Sequence, residues 1–219
     1  MITYDSIKND REIKIYIEEA DAALAELGYT EHSFAHVCTV AERASNILLT
    51  LGYSPRDAEL AKIAAYLHDI GNLVNRVDHS QSGALIAFRM LDKKGMDASE
   101  ISKIVKAIGN HDEGTGVPVS EIAAALILAD KSDVRRSRVR NTDWATYDIH
   151  DRVNSSVVES ALLIAKEKNA VTLSLEIDTL MSSIMDYFEI FLERMKLCRE
   201  AARKLGLAFR LEINGQQFI

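Results

Sequence analysis

At 219 residues with a hydrophobic fraction of 47%, the chain is long enough to bury one sizeable core. Its net charge of −7 disfavours general binding to nucleic acid or to an anionic membrane surface, and no apolar run approaches the ~20 residues that span a bilayer. The opening Met-Ile-Thr-Tyr-Asp-Ser has no basic segment followed by an apolar one, so a reducing cytoplasm is the expected location. Cys38 and Cys198 lie too far apart for a close metal-binding pair and read as small buried hydrophobes.

Ile13, Ile17, Ala20, Leu24 and Leu27 recur at steps of three and four, predicting an amphipathic helix over 9–27 that Gly28 ends. A second helix is expected from Glu31 to Leu51, with His36, Val40, Ala44 and Ile47 down one stripe and Gly52 as its stop. Ser54-Pro55 then supplies an N-cap and a proline at the first helical position. The helix begun there is apolar throughout its second half and delivers His68 and Asp69 side by side at its end. Gly71 is expected to take the positive φ that commonly terminates a helix.

After a short loop, His79-Ser80 opens a helix to about Lys94. Asp97 with Glu100 three residues on has the form of an acidic capping box, starting a helix that delivers His111 into the irregular stretch Asp112-Glu113-Gly114-Thr115-Gly116-Val117-Pro118. The alanine-rich segment Ile122 to Ala129 reads as a buried helix arriving at Asp130-Lys131. Arg135, Arg136, Arg138 and Arg140 follow as a basic cluster. Asp148 to Lys168 reads as a helix, Val171 to Ile177 as a half-buried strand by its alternation, and Asp178 to Leu205 as a long helix. Alternation resumes from Leu207 to Ile213, and Asn214-Gly215 is a two-residue hairpin signal. The tail is therefore expected to form a small antiparallel sheet.

Six histidines occur, and His36, His68, His79 and His111 fall on or beside separate predicted helices, as does Asp130. Side chains from distinct helices meeting at one point are how helical bundles build interior metal centres. A charged Asp beside a His is costly to bury unless something positive compensates it, and a divalent cation does so. Imidazole and carboxylate donors without thiolate suit iron, manganese, magnesium, nickel or zinc in an open hydrolytic site better than structural zinc. His32, one turn before His36, is an alternative ligand, and His150 reads as surface.

A His on one helix, His-Asp closing the next and a later Asp, here His36, His68-Asp69 and Asp130, resembles the HD-domain metal-dependent phosphohydrolases. The flanking text is similar too: Val40-Ala41 after His36, then Leu67-His68-Asp69-Ile70-Gly71, then Leu128-Ala129-Asp130. The resemblance covers roughly residues 30–135. His79 and His111 stand where binuclear branches of the superfamily place two further histidines. The loop after His111 looks like a shortened form of that in the HD-GYP cyclic dinucleotide phosphodiesterases, but Val117 replaces its tyrosine, a second consecutive His is missing and Asn72 replaces the usual lysine. The ligand order is also similar to that of the binuclear diadenosine tetraphosphate hydrolases.

The resemblance implies an all-α HD bundle over residues 1–170, with residues 171–219 packed on it as a small β appendage and long helix. It implies one metal held by His36, His68, Asp69 and Asp130 and a second held by Asp69, His79 and His111, with Asp69 bridging and water as nucleophile. Asp69 and Lys131 are the catalytic candidates, and Lys131, Arg135 and Arg136 the candidates for contacting substrate phosphate. The expected partner is a small phosphorylated substrate, a nucleotide above all, and the wide apolar face of the long helix is open to two readings, support of a homodimer or part of the core. Two further readings stand beside hydrolysis: a non-catalytic nucleotide-binding domain, and a di-iron oxygenase of the same superfamily.

Overall fold

The computed structural model describes residues 1–219. Its first two thirds are helical: α1 (Tyr4–Lys8), α2 (Arg11–Glu26), α3 (Phe34–Leu51), α4 (Pro55–Leu67), α5 (His79–Lys93), α6 (Ala98–Gly109), α7 (Glu121–Lys131) and α8 (Ile149–Ser156). Strands β1 (Val157–Ile164) and β2 (Ala170–Ile177), helix α9 (Ile184–Lys204) and strands β3 (Ala208–Ile213) and β4 (Gln216–Gln217) complete the chain. A short 3-10 turn, Ile70–Leu73, joins α4 to the loop before α5.

Local chemistry sets most of the helix starts. The side chains of Asp10, Ser33, Ser54, Asp97, Ser120 and Asp148 each accept a hydrogen bond from a first-turn backbone N–H, meeting donors that a helix leaves unpaired. At Asp97 the bond runs to Ser99 N, while Glu100 turns away to Arg56 instead of closing a capping box. Helices α4 and α7 are rich in alanine and buried nearly all round, so α3, α4 and α7 pack closely as the centre of the bundle. One hydrophobic cluster runs from Tyr4 through these helices to Ile213. No helix is long and apolar enough to cross a membrane. Both thiols are free, Cys198 buried and Cys38 partly so.

Three expectations about the C-terminal third are corrected. The helix read from Asp148 to Lys168 ends at Ser156, and Val157–Ile164 instead pairs antiparallel with β2 through a bulge at Val157/Glu159. The irregular apolar spacing of that segment hides a strand whose conformation is set by its partner, not by its own pattern. The long helix begins at Ile184, not Asp178, because Ser183 and Asp186 form a capping box there. The sheet, ordered β1-β2-β3-β4, is mixed: β2 and β3 run parallel, Leu173 opposite Leu211. A helix between two neighbouring strands carries the chain back to the starting end, and parallel pairing follows from that connection. The all-α core with a small sheet near its C-terminus stands as expected.

Gly71 differs as well. It is not among the glycines with positive φ. A Cβ there would lie 1.9 Å from the His79 carbonyl oxygen and 2.5 Å from Gly83 N, so the glycine is needed for close approach of the 3-10 turn to α5. This contact sets His79 beside Asp69. Gly71→Ala is expected to destabilise the protein by about 1–3 kcal/mol through overpacking, read by denaturant unfolding, and to lower metal content relative to wild type.

Candidate metal centre

The site is assembled from helix ends. His36 lies in the first turn of α3, His68 caps the C-terminus of α4, His79 opens α5, His111 follows the cap of α6 and Asp130 sits in the last turn of α7. Asp78, immediately before α5, adopts a left-handed backbone (φ 57°) that an Asp tolerates better than most residues, and it starts the helix with His79 directed inward. All four histidines are essentially buried, as are Asp69 and Asp130.

The imidazoles converge through their Nε2 atoms: His36 to His68 is 3.4 Å and His79 to His111 is 3.2 Å. Asp69 lies between the pairs, with Oδ2 3.5 Å from His36 and 3.1 Å from His68, and Oδ1 3.5 Å from His79. Asp130 Oδ1 closes the first group, 3.4 Å from His36 and 3.6 Å from His68. Donor atoms of His36, His68 and Asp130 lie within 4.8 Å of one another, as do those of His68, Asp69 and His111.

The outer nitrogen of each ring is already engaged. Nδ1 of His68, His79 and His111 donates to the carbonyl oxygens of Ala65 (2.6 Å), Arg76 (3.1 Å) and Ile108 (2.6 Å), and Nδ1 of His36 donates to Asp133 Oδ2 (2.7 Å). A carbonyl only accepts, so the proton of each neutral ring sits on Nδ1 and the Nε2 lone pair faces the centre. Four lone pairs and two carboxylates facing one another at these distances repel unless a cation lies among them. Asp69 Oδ2 makes the same point: it is buried and, with the rings neutral, has no hydrogen-bond donor. The donor set therefore fits divalent metal, with Asp69 directing one oxygen to each group.

Protonation equilibria reflect this demand for positive charge. Burial opposes charge on His68, but Asp69 and Asp130 outweigh it and hold the ring's pKa up to about 10. His36 is also raised, with Asp130, Asp133 and Asp69 overcoming burial and Arg138. At the other group burial prevails: His79 is lowered and His111 is pushed down to about 3, its neighbours His68 and Lys131 adding to the effect. Asp69 and Asp130 stay well below the usual carboxylate range despite burial, held by His68 and, for Asp130, first by Lys131.

The centre opens onto a cavity of ≈ 580 Å³, within the range of small-molecule sites. Lys131 lines it, its Nζ 2.7 Å from Asp130 Oδ2 and 3.2 Å from Glu113 Oε2. Burial resists charge on Lys131, yet Asp130 and Glu113 raise its pKa. Arg76, Arg138 and Arg194 also face this space. Arg135 and Arg136 do not. Arg135 is spent on Asp133 and Glu31, and Arg136 donates to the Ser155 carbonyl. His32 borders the cavity and packs edge-on against His36, 5.5 Å between ring centroids, but donates Nδ1 to the Thr30 carbonyl and stands outside the donor groups. His150 is exposed on the cavity wall.

Asp133 and Arg194 are absent from the residues singled out by sequence, and Arg138 stands there only as one member of the basic cluster. Asp133 carries a signal in hindsight, one turn beyond Asp130, whereas Arg194 lies far along α9 with nothing nearby to mark it. Asp133 holds His36 and is in turn flanked by Arg135 and Arg138.

The HD domain family pattern matches residues 33–135, a span that contains His36, His68, Asp69, His79, His111 and Asp130. A predicted HD superfamily hydrolase from an uncultured Thermotogales bacterium is 31% identical, the match covering 57% of this chain and 68% of that one, with a TM-score of 0.45. The chain belongs to the HD superfamily. An uncharacterized protein of Methanocaldococcus jannaschii, MJ1020, is 25% identical over 211 residues, 85% of this chain and 79% of the relative. Within this HD protein, α1, α2 and everything after Val134-Arg135 are additions to the matched segment, and they supply Arg194 and most of the outer cavity wall.

Two predictions test this arrangement. Asp133→Asn removes the carboxylate behind His36, and metal affinity measured by competition with a chelator is expected to fall about 10–100-fold. Glu113 is buried but held below its ordinary range by Lys131 and Arg194. Its contribution to stability is therefore full above the unfolded carboxyl value, about pH 4.3, and is lost as pH falls through the lower folded value. Glu113→Gln should be less stable than wild type at pH 7, with the gap narrowing below about pH 4 in denaturant titrations.

Proposed function

We propose that the protein is a metal-dependent hydrolase of phosphate esters, acting on a small phosphorylated molecule such as a nucleotide. The observation that carries this reading is the buried Asp69 Oδ2, unpaired when the rings are neutral, amid inward-facing imidazoles at the floor of a cavity that Lys131 and Arg194 border. His36, His68, Asp69 and Asp130 would hold one ion, and Asp69, His79 and His111 a second. Such ions, when bound, supply Lewis acidity toward phosphoryl oxygen and lower the pKa of water.

The chain's own groups then have defined tasks. Buried histidines, each fixed by its Nδ1 hydrogen bond, keep the donor set rigid and turn Nε2 toward the centre. Lys131 stays charged between Asp130 and Glu113, and its Nζ donates a hydrogen bond to phosphate oxygen, countering negative charge as the ester bond breaks. Water adds to phosphorus, the phosphorus–oxygen ester bond breaks, and the proton the water gives up passes to the departing oxygen, which leaves as an alcohol. Lys131 and Arg194 on the cavity wall support an anionic substrate, which hydrolysis of phosphate esters requires and oxygen activation does not. A non-catalytic binding role leaves the inward-facing donor set without a purpose.

The test is a panel of nucleotides and simple phosphate esters with manganese, magnesium, iron, nickel and zinc. Wild type is expected to hydrolyse at least one, Asp69→Ala to lose metal and activity together, and Lys131→Gln to keep metal while losing about 10²-fold or more in kcat. Unchanged turnover in Asp69→Ala, or no hydrolysis by wild type with any ion, overturns the proposal.

A further inference from the structure

Arg194 is held in an unusual way for an arginine beside so many carboxylates. Its Nε donates to Glu113 Oε1 at 2.7 Å, and its guanidinium lies over the Phe191 ring, 4.1 Å from the centroid. These contacts fix the plane. Neither terminal nitrogen has a hydrogen-bond partner in the chain, although the side chain is only 21% exposed and borders the cavity. The other cavity arginine on the C-terminal side of the HD motif, Arg138, spends Nε on the Glu31 carbonyl and Nη1 on the Asp133 carbonyl, so it serves the scaffold. Arg194 alone presents both ends of a preorganised fork, and a fork of two N–H donors matches two oxygens of a phosphate.

Its place relative to the centre follows from a continuous chain of contacts. Glu113 joins Arg194 to Lys131, and Lys131 joins Glu113 to Asp130. The fork and the Lys131 ammonium thus border the same inner end of the cavity as the metal-binding groups. Asp148, Asp151 and Glu193 also line the cavity, and of these Asp148 and Glu193 are exposed, placing negative charge toward the mouth. An extended polyphosphate reaching outward would meet that charge, whereas one phosphate held inside would not.

Resting on the hydrolase reading of the same cavity, we propose that Arg194 grips the substrate phosphate and selects molecules with a single terminal phosphate, their uncharged part directed to the mouth. The residue comes from α9, outside the segment that matches the HD family pattern.

Calorimetry of inorganic phosphate binding to the full-length, manganese-loaded protein tests the grip independently of turnover. Arg194→Gln is expected to weaken binding about 10–100-fold, with metal content retained, and Arg194→Lys to restore only part of the affinity. Undiminished phosphate affinity in Arg194→Gln, loss of metal along with phosphate, or no phosphate binding by wild type each overturns the assignment. For selectivity, adenosine mono- and triphosphate are compared as competitors in wild type and in the combined Asp148→Asn, Asp151→Asn, Glu193→Gln variant. Wild type should prefer the monophosphate and the variant should shift several-fold toward the triphosphate; an unchanged ratio overturns the single-phosphate selection. Phosphate binding that depends on Arg194 in a protein that hydrolyses nothing would overturn the catalytic reading and leave the grip standing.

Discussion

The structure depends on one unresolved electrostatic demand, a buried carboxylate on Asp69 facing imidazole lone pairs with no donor to satisfy it. In a medium of low effective dielectric such a group is expensive unless positive charge is near. Everything around it is arranged to keep that demand in place. Main-chain carbonyls and Asp133 pin the rings, α3, α4 and α7 pack together around them, and Gly71 lets the 3-10 turn press against α5. The centre is built by the bundle, and the bundle carries the cost of building it.

Much of this was legible in the chain. Ser54-Pro55 marked the start of α4, and the apolar run after it marked burial, so His68-Asp69 could be placed at an inner helix end without any coordinates. The same logic found Asp130. What periodicity cannot supply is which polar group stands behind a ligand. Asp133 reaches His36 only because α7 ends beside the start of α3, a contact between residues 97 apart in sequence.

The cationic wall shows the same limit from the other side. A run of arginines after Asp130 looks like a phosphate site, yet Arg135 and Arg136 are consumed by neighbouring carboxylates and carbonyls, while a single arginine on a distant helix keeps its donors open. Charge density in sequence says little about charge availability in space, because availability depends on the partners that folding brings. The strand β1 was hidden for a related reason: its pattern is irregular, and only the presence of β2 makes an extended conformation the better one.

The parallel register of β2 and β3 has a consequence for how the protein comes into being. These strands become neighbours only when α9 has crossed between them, so sheet completion and docking of that helix are one event. All the residues of the imidazole cluster precede α9 in the chain, and α9 supplies the last part of the cavity wall through Ile190, Phe191, Glu193 and Arg194.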